Sequence, residues 1–140
     1  MQDRSNAEGP ALKGKLPFAL GTTSYIIPDD ILPNVRYLAG KVDDVQLVLF
    51  ESDEMSNMPD RAMLDELKRL GQEHDLTYTV HLPLDTRLGD PDEAVRSASV
   101  GKCSRVIELT SVLEPFGWTV HLHGERRGDV PSDDVAAWLA

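Results

Sequence analysis

Strict alternation of strand-like and helix-like segments is the feature that most constrains how this chain folds. Runs rich in β-branched, aromatic and aliphatic residues, which are typical of strands, lie at residues 18–25, 45–51, 77–83 and 118–123. Segments with apolar residues at helical spacing separate these runs. Strands that are joined through helices pair in parallel by right-handed crossovers. The pattern therefore predicts an α/β fold with four parallel strands.

The helical segments have recognisable signals at their ends. In the first, Asp29 or Asp30 is expected to cap the start and Gly40 to close the end. The second follows Pro59, which we expect near the first helical position. The apolar residues of these two segments recur at helical spacing: Ile31, Leu32, Val35, Leu38 and Ala39 in the first, and Met63, Leu64, Leu67 and Leu70 in the second.

The third helical segment has the clearest start signal. Asp90 is placed to cap it, Pro91 suits its first turn, and Glu93 lies three residues after the cap. Gly101 lies within this segment and weakens the expectation of one unbroken helix. A fourth helix is predicted to begin near Ser132.

Two architectures accommodate such units, a (β/α) barrel and an open doubly wound sheet. The dinucleotide-binding form of the open sheet needs a glycine-rich loop after its first strand, but here Gly21 is followed by Thr22, Thr23 and Ser24. A closed barrel has eight units over about 250 residues. We therefore expect residues 16–140 to be the N-terminal four-strand portion of a TIM barrel that stops within its fourth helix. Residues 1–15, which are mostly polar, are expected to be a disordered tail.

A partial barrel of this kind leaves two strand edges with unpaired backbone groups, which invite self-association. We also expect Leu47, Leu49, Val80 and Val120 to lie on the face meant for the barrel interior. That face would then present apolar surface to water at a cost in stability.

Charge and hydropathy restrict the partners and the compartment. A net charge of −10 disfavours nucleic acid, because phosphate binding needs clustered Lys and Arg. No apolar run approaches the roughly 20 residues of a membrane span, and the first residues lack the apolar core of a signal peptide, so a cytoplasmic location is the default expectation. Cys103 is the only cysteine, which excludes an internal disulfide and fits a reducing compartment.

Polar side chains gather at the predicted carboxyl ends of the strands. Glu51 ends the second run, His81 lies near the end of the third with Asp85 beyond it, and His121 and His123 end the fourth. Imidazoles bind divalent metals such as zinc or manganese, and carboxylates complete such sites. The pattern predicts a metal site that uses these histidines. Glu51 and Asp85 are candidate catalytic groups that bind metal, orient a histidine or act as a base.

Each of these residues also has a purely structural interpretation. A strand histidine is often only a hydrogen-bonded core residue, and a carboxylate at a strand end often only caps a helix or pairs with arginine. Thr22, Thr23 and Ser24 could bind a substrate phosphate through hydroxyl and backbone N–H groups, or they could simply be turn residues. Both interpretations remain open at the level of sequence.

Two motifs around the strand-end histidines resemble those of a known superfamily. One comprises Val80, His81, Leu82 and Pro83, and the other Val120, His121, Leu122, His123 and Gly124. Both are similar to motifs of the xylose-isomerase-like TIM barrels, which include endonuclease IV, sugar isomerases and epimerases. More narrowly, residues 21–36, 42–51 and 76–85 resemble the cobamide-remodelling phosphodiesterases of the CbiR family.

This resemblance implies a metal-dependent hydrolase that cuts a phosphoester bond in the nucleotide loop of a cobamide. Its superfamily uses histidines at the ends of the third and fourth strands as metal ligands, which implies His81 and either His121 or His123. Endonuclease IV follows its fourth-strand histidine with proline and glycine, whereas this chain has Gly124 and Glu125, so the choice stays open. The expected substrate is a corrinoid. The alternatives are a sugar-phosphate isomerase or epimerase, and a corrinoid-binding module without catalysis.

Overall fold

A four-stranded parallel sheet organises the computed structural model, which describes residues 10–52 and 55–122. The elements in chain order are β1 (Gly21–Thr23), α1 (Ile31–Leu38), β2 (Asp44–Val48), α2 (Arg61–His74), β3 (Thr77–His81), α3 (Glu93–Thr110), a 3₁₀ turn (Ser111–Leu113) and β4 (Gly117–Thr119). The strand order is β1-β2-β3-β4, and every adjacent pair is parallel. The predicted parallel α/β fold is confirmed. The predicted fourth helix lies outside the described residues.

The starts of α2 and α3 can be compared with the sequence-based expectations. Asp60 caps α2 by accepting a hydrogen bond from the Met63 backbone N–H at 2.8 Å, and Pro59, which was expected near the first helical position, immediately precedes this cap. Asp92 caps α3, so the predictions that Asp90 is the cap and that Pro91 lies in the first turn were wrong. Asp90 is buried and ion-pairs with Arg87, so its carboxylate serves the loop before the helix.

The other helix signals agree better with the structure. Asp30 is the N-cap residue of α1, although its side chain makes no capping hydrogen bond. Gly40 follows that helix with a φ of +76°, a backbone conformation that favours glycine. Gly101 lies inside α3, which is nevertheless unbroken.

All three helices cover the same face of the sheet. Alternate strand residues are fully or almost fully buried there, and they form one core with apolar residues of every helix. The strand contribution is Val45, Leu47, Leu49, Tyr78 and Val80. Sequential parallel strands joined by crossovers of one hand place their helices on one side. The prediction that Leu47, Leu49 and Val80 face a barrel interior was therefore wrong, because these side chains face the helices.

The opposite face of the sheet, which we call the polar face, is lined by hydrogen-bonded side chains. The Asp44 carboxylate accepts hydrogen bonds from the hydroxyls of Thr77 at 2.8 Å and Thr79 at 2.9 Å. Gln46 Nε2 donates across β3 to Thr119 Oγ1 at 3.2 Å. Water or a polar ligand can contact such a face without the cost of exposing apolar area.

Part of the segment predicted as a tail is held against the sheet. The backbone N–H groups of Leu12 and Lys13 both donate to the Lys41 carbonyl at 2.8 Å. The Gly14 N–H donates to the Asp43 carboxylate at 2.9 Å, and hydrogen bonds from Leu20 and Gly14 lower the pKa of Asp43. Residues 1–9 lie outside the described part of the chain. Among the helices of the described residues, none has the length and apolar character needed to cross a membrane.

Acid conditions are expected to weaken the contact between α1 and α2. Hydrogen bonds from Arg69 and Arg36 lower the pKa of Glu66 to about 2. A carboxylate with a lowered pKa stabilises the folded state above its unfolded-state value of 4.5, and that stabilisation is lost as the pH falls toward about 2. Glu66→Gln should lower the melting temperature at neutral pH and flatten its decline between these pH values.

Thermal melts at a series of pH values test this expectation. The control is Glu108→Gln, which changes an exposed glutamate of α3. If the melting temperatures of Glu66→Gln and of the unmodified chain fall by the same amount throughout the acid range, the expectation is contradicted.

Candidate functional site

Two histidines meet at the carboxyl ends of β3 and its neighbour β4. His81 is the last residue of β3 and pairs in register with Thr119, so His121, two residues later, projects toward the same face of the sheet. Their Nε2 atoms lie 3.0 Å apart. The ring centroids are separated by 4.9 Å with an angle of 40° between the planes. The structure thus brings together one of the two histidine pairs that the sequence predicts.

A backbone contact orients the His81 ring. His81 is only 9% exposed, and its Nδ1 lies 2.8 Å from the Leu82 carbonyl oxygen. A carbonyl can only accept a hydrogen bond, so Nδ1 holds the proton. In the neutral ring the lone pair of Nε2 then points toward His121. A histidine that binds a metal is commonly oriented through its other ring nitrogen in this way.

The separation of the two Nε2 atoms is that of a hydrogen bond between the rings, and it is also close to the separation that a shared metal ion requires. Tetrahedral zinc with Zn–N distances of about 2.0–2.1 Å requires its two nitrogen ligands to be about 3.3 Å apart. The observed separation of 3.0 Å needs to open only slightly to meet that value. His81 and His121 are therefore the residues that could hold a divalent metal.

Further ligands do not assemble around this pair within the described residues. No group of three or more His, Cys, Asp or Glu side chains is positioned there to hold a metal ion. His123, the third histidine that the sequence predicts, lies outside residues 10–52 and 55–122. Within residues 10–52 and 55–122, the structure therefore shows a pair of imidazoles and not a complete set of metal ligands.

Glu51 and Asp85 line one cleft, where they pair with cations of α3. Lys102 Nζ donates to the Asp85 carboxylate at 2.6 Å and to the Glu51 carbonyl at 2.9 Å. Arg105 Nη2 lies 3.6 Å from the Glu51 carboxylate. The side chains of Glu51 and Asp85 remain 42% and 47% exposed, so both can turn toward water or a ligand.

The hydroxyl residues after β1 have different surroundings. Thr22 and Thr23 line an open cavity of about 320 Å³ on the polar face, together with Asp44, Gln46 and Thr79. Ser24 is fully buried. Its hydroxyl accepts a hydrogen bond from the Val48 N–H at 3.1 Å, which ties β1 to the end of β2. Thr23 pairs in register with Gln46 of the polar face and is placed to contact a ligand there, whereas Thr22 pairs with Val45 of the helix-covered face and the Ser24 hydroxyl has a structural partner.

Two asparagines that the sequence analysis did not single out hold the loops at this edge of the sheet. Asn34 is fully buried, and its side chain makes five hydrogen bonds with the backbone of the loop before α1. Asn57 accepts from the Phe50 N–H and donates to the Val48 carbonyl and the Tyr25 hydroxyl. Asn34 is a polar residue among the apolar positions of α1, and buried polar groups are normally hydrogen-bonded. This position in the pattern could have indicated its role.

Comparison of the chain with protein-family models, with curated proteins and with solved structures finds no match.

Proposed function

We propose that this chain is the four-strand portion of a TIM barrel whose strand-end histidines bind a divalent metal for the hydrolysis of a phosphoester. The main observation in support is the 3.0 Å separation of His81 Nε2 and His121 Nε2 on neighbouring strands. Converging imidazole nitrogens are the commonest protein ligands for zinc-like ions.

The arrangement of the helices supports a barrel over a doubly wound sheet. A doubly wound sheet changes direction along its strand order and has helices on both faces. Here the order is sequential and the apolar residues of α1, α2 and α3 join one core on one face. A closing barrel needs this one-sided arrangement, because its strands surround an interior and its helices form the outer ring. The polar face would then line the interior near the site.

The residues at the strand ends suit phosphoester chemistry. A bound divalent metal polarises a phosphoryl oxygen and lowers the pKa of a bound water. His81 and His121 would hold that ion, with the Leu82 carbonyl fixing the His81 ring. Glu51 or Asp85 would accept the proton of the attacking water after leaving its α3 cation. The Thr23 hydroxyl would donate a hydrogen bond to a substrate oxygen.

The substrate we propose is a cobamide, cut at the phosphoester of its nucleotide loop, because residues 21–36, 42–51 and 76–85 resemble the cobamide-remodelling phosphodiesterases. The test is to incubate the full product of the gene with adenosylcobalamin and a divalent metal. Release of cobinamide phosphate and a riboside is expected, and it should be lost in His81→Ala and retained in His74→Ala.

The same protein is assayed in parallel with ketose sugar phosphates, and two other outcomes would replace this proposal. Interconversion of ketose and aldose sugar phosphates, without release of cobinamide phosphate, would identify an isomerase or epimerase. Tight corrinoid binding without any hydrolysis would identify a binding module.

A further inference from the structure

Two open clefts adjoin each other along one side of α3. The first has a volume of about 510 Å³ and is lined by Glu51, Ser52, Asp85, Lys102 and Arg105. The second has a volume of about 400 Å³ and shares Asp85 and Lys102 with the first. Lys102 and Asp85 therefore line both clefts, and we call the two clefts together the groove.

The two halves of this groove differ in chemistry. Charged side chains surround the first cleft. Small and apolar residues of α3, namely Ala94, Val95 and Ala98, line the second cleft together with the polar residues Thr86, Arg87 and Ser99. Ala94, Ala98 and Lys102 follow one another at intervals of four residues, and Arg105 comes three residues later, so these four lie on one side of the helix. One side of α3 thus presents an apolar half and a cationic half to the same groove.

The two cations retain capacity to bind an oxyanion. The Lys102 ammonium has three N–H donors, two of which contact Asp85 and the Glu51 carbonyl. The separation of 3.6 Å between Arg105 and Glu51 is longer than a hydrogen bond. The Arg105 side chain is 64% exposed, so its planar fork of donors can turn toward an oxyanion that binds beside Lys102.

The carboxylates of the first cleft occupy the position that an oxyanion would take. Asp85 is half exposed and is bonded to Lys102, so it can turn into water when a stronger acceptor arrives. A dianionic phosphate offers three acceptor oxygens, more than the single Asp85 oxygen that Lys102 now contacts. Asp85 is therefore a competitor for an anion in this cleft and not a part of its binding site.

We propose that this groove binds a phosphate monoester that has an apolar substituent. The phosphoryl group contacts Lys102 and Arg105, and the substituent packs against Ala94, Val95 and Ala98. A cavity of about 150 Å³ can hold a benzene ring, so the second cleft, at about 400 Å³, has room for an aromatic ring. The inference does not rest on the proposed metal chemistry, because neither histidine contributes to the groove.

Binding of two probes to the metal-free chain tests this groove. Inorganic phosphate and phenyl phosphate are titrated separately and followed by NMR shifts of backbone amides and arginine side chains. Both should shift signals of α3, and phenyl phosphate should bind about tenfold more tightly because it buries its ring. Arg105→Gln and Lys102→Met should each weaken both probes by about tenfold, the effect of one charge-assisted hydrogen bond.

Two further variants distinguish binding in the groove from a general electrostatic attraction of anions. Asp85→Asn removes the competitor and should tighten both probes. Ala98→Leu fills the second cleft while preserving helix propensity, so phenyl phosphate should bind no better than inorganic phosphate in this variant. Arg61 and Asp65 form a matched exposed pair on α2, and Arg61→Gln and Asp65→Asn are the controls that should change neither affinity.

Several results would overturn the proposal. Equal weakening by Arg105→Gln and Arg61→Gln would show a non-specific effect of charge. Weaker binding of the probes to Asp85→Asn would show that this carboxylate is part of the binding site. If Ala98→Leu still binds phenyl phosphate more tightly than inorganic phosphate, the apolar substituent does not bind in the second cleft. Absence of saturable phosphate binding in the unmodified chain would end the proposal irrespective of any hydrolytic activity.

Discussion

Replacing Asn34 by alanine is expected to lower the free energy of unfolding by about 3 kcal/mol, from the loss of several net hydrogen bonds and the desolvation cost of the groups left unpaired. The Asn34 Oδ1 accepts from the backbone N–H groups of Ile26 and Ile27 at 2.7 and 2.9 Å. Its Nδ2 donates to the carbonyls of Ile27, Asp29 and Asp30. Alanine can replace none of these contacts, and the side chain is fully buried.

Urea denaturation of the variant and the unmodified chain measures this loss. Asn57→Ala is the comparison, because Asn57 also holds a loop through its amide but makes three hydrogen bonds instead of five. It should destabilise the chain less than Asn34→Ala does. A loss below about 1 kcal/mol for Asn34→Ala, the worth of one ordinary hydrogen bond, would show that water or a rearranged loop replaces the amide.

Removal of either histidine should weaken the binding of zinc at least about 100-fold. Mutation of a residue that only orients a ligand already costs roughly 10–100-fold in metal affinity, and the loss of one of two direct ligands should cost more. Calorimetric titration of His81→Ala and His121→Ala with zinc measures the change. His74→Ala is the control, since His74 ends α2 just before the amino end of β3, whereas the paired histidines lie at the carboxyl ends of β3 and β4.

The outcome for His123→Ala adds information about the remaining ligands. If His123→Ala loses as much zinc affinity as His81→Ala, His123 is a third ligand. If its zinc affinity is unchanged, His121 is the ligand from the fourth strand. Zinc affinity that is insensitive to both His81→Ala and His121→Ala would contradict the proposed metal site.

Local patterns in the sequence were sufficient to predict the parallel sheet. Alternation along the second run predicts that Val45, Leu47, Leu49 and Glu51 share one face. The first three are buried together, whereas the Glu51 side chain stays 42% exposed. Alternation could not tell which face the helices cover, because that depends on the crossovers of the whole sheet. The polar side chains Asp44 and Gln46, which occupy the intervening positions of β2, indicate in retrospect that the other face is the open one.

The candidate site was predictable only in part. Histidines near the ends of two strands that are neighbours in sequence were expected to meet, because neighbouring parallel strands end at the same edge of the sheet. The pairing of Glu51 and Asp85 with Lys102 and Arg105 was not anticipated, since those cations come from α3 and their reach depends on how that helix packs. The capping error at Asp90 has a similar origin, because a carboxylate that is buried by tertiary contacts is no longer available as a cap.

The most direct test of the central claim is NMR of the chain with ¹⁵N-labelled imidazole nitrogens during a zinc titration. In the metal-free chain, His81 should be the Nδ1–H tautomer, as its contact with Leu82 requires. On addition of zinc, the Nε2 signals of His81 and His121 should shift together at one stoichiometry, and those of His74 should stay unchanged. Zinc that shifts only one of the two Nε2 signals, or a His81 ring protonated at Nε2 alone, would contradict the account.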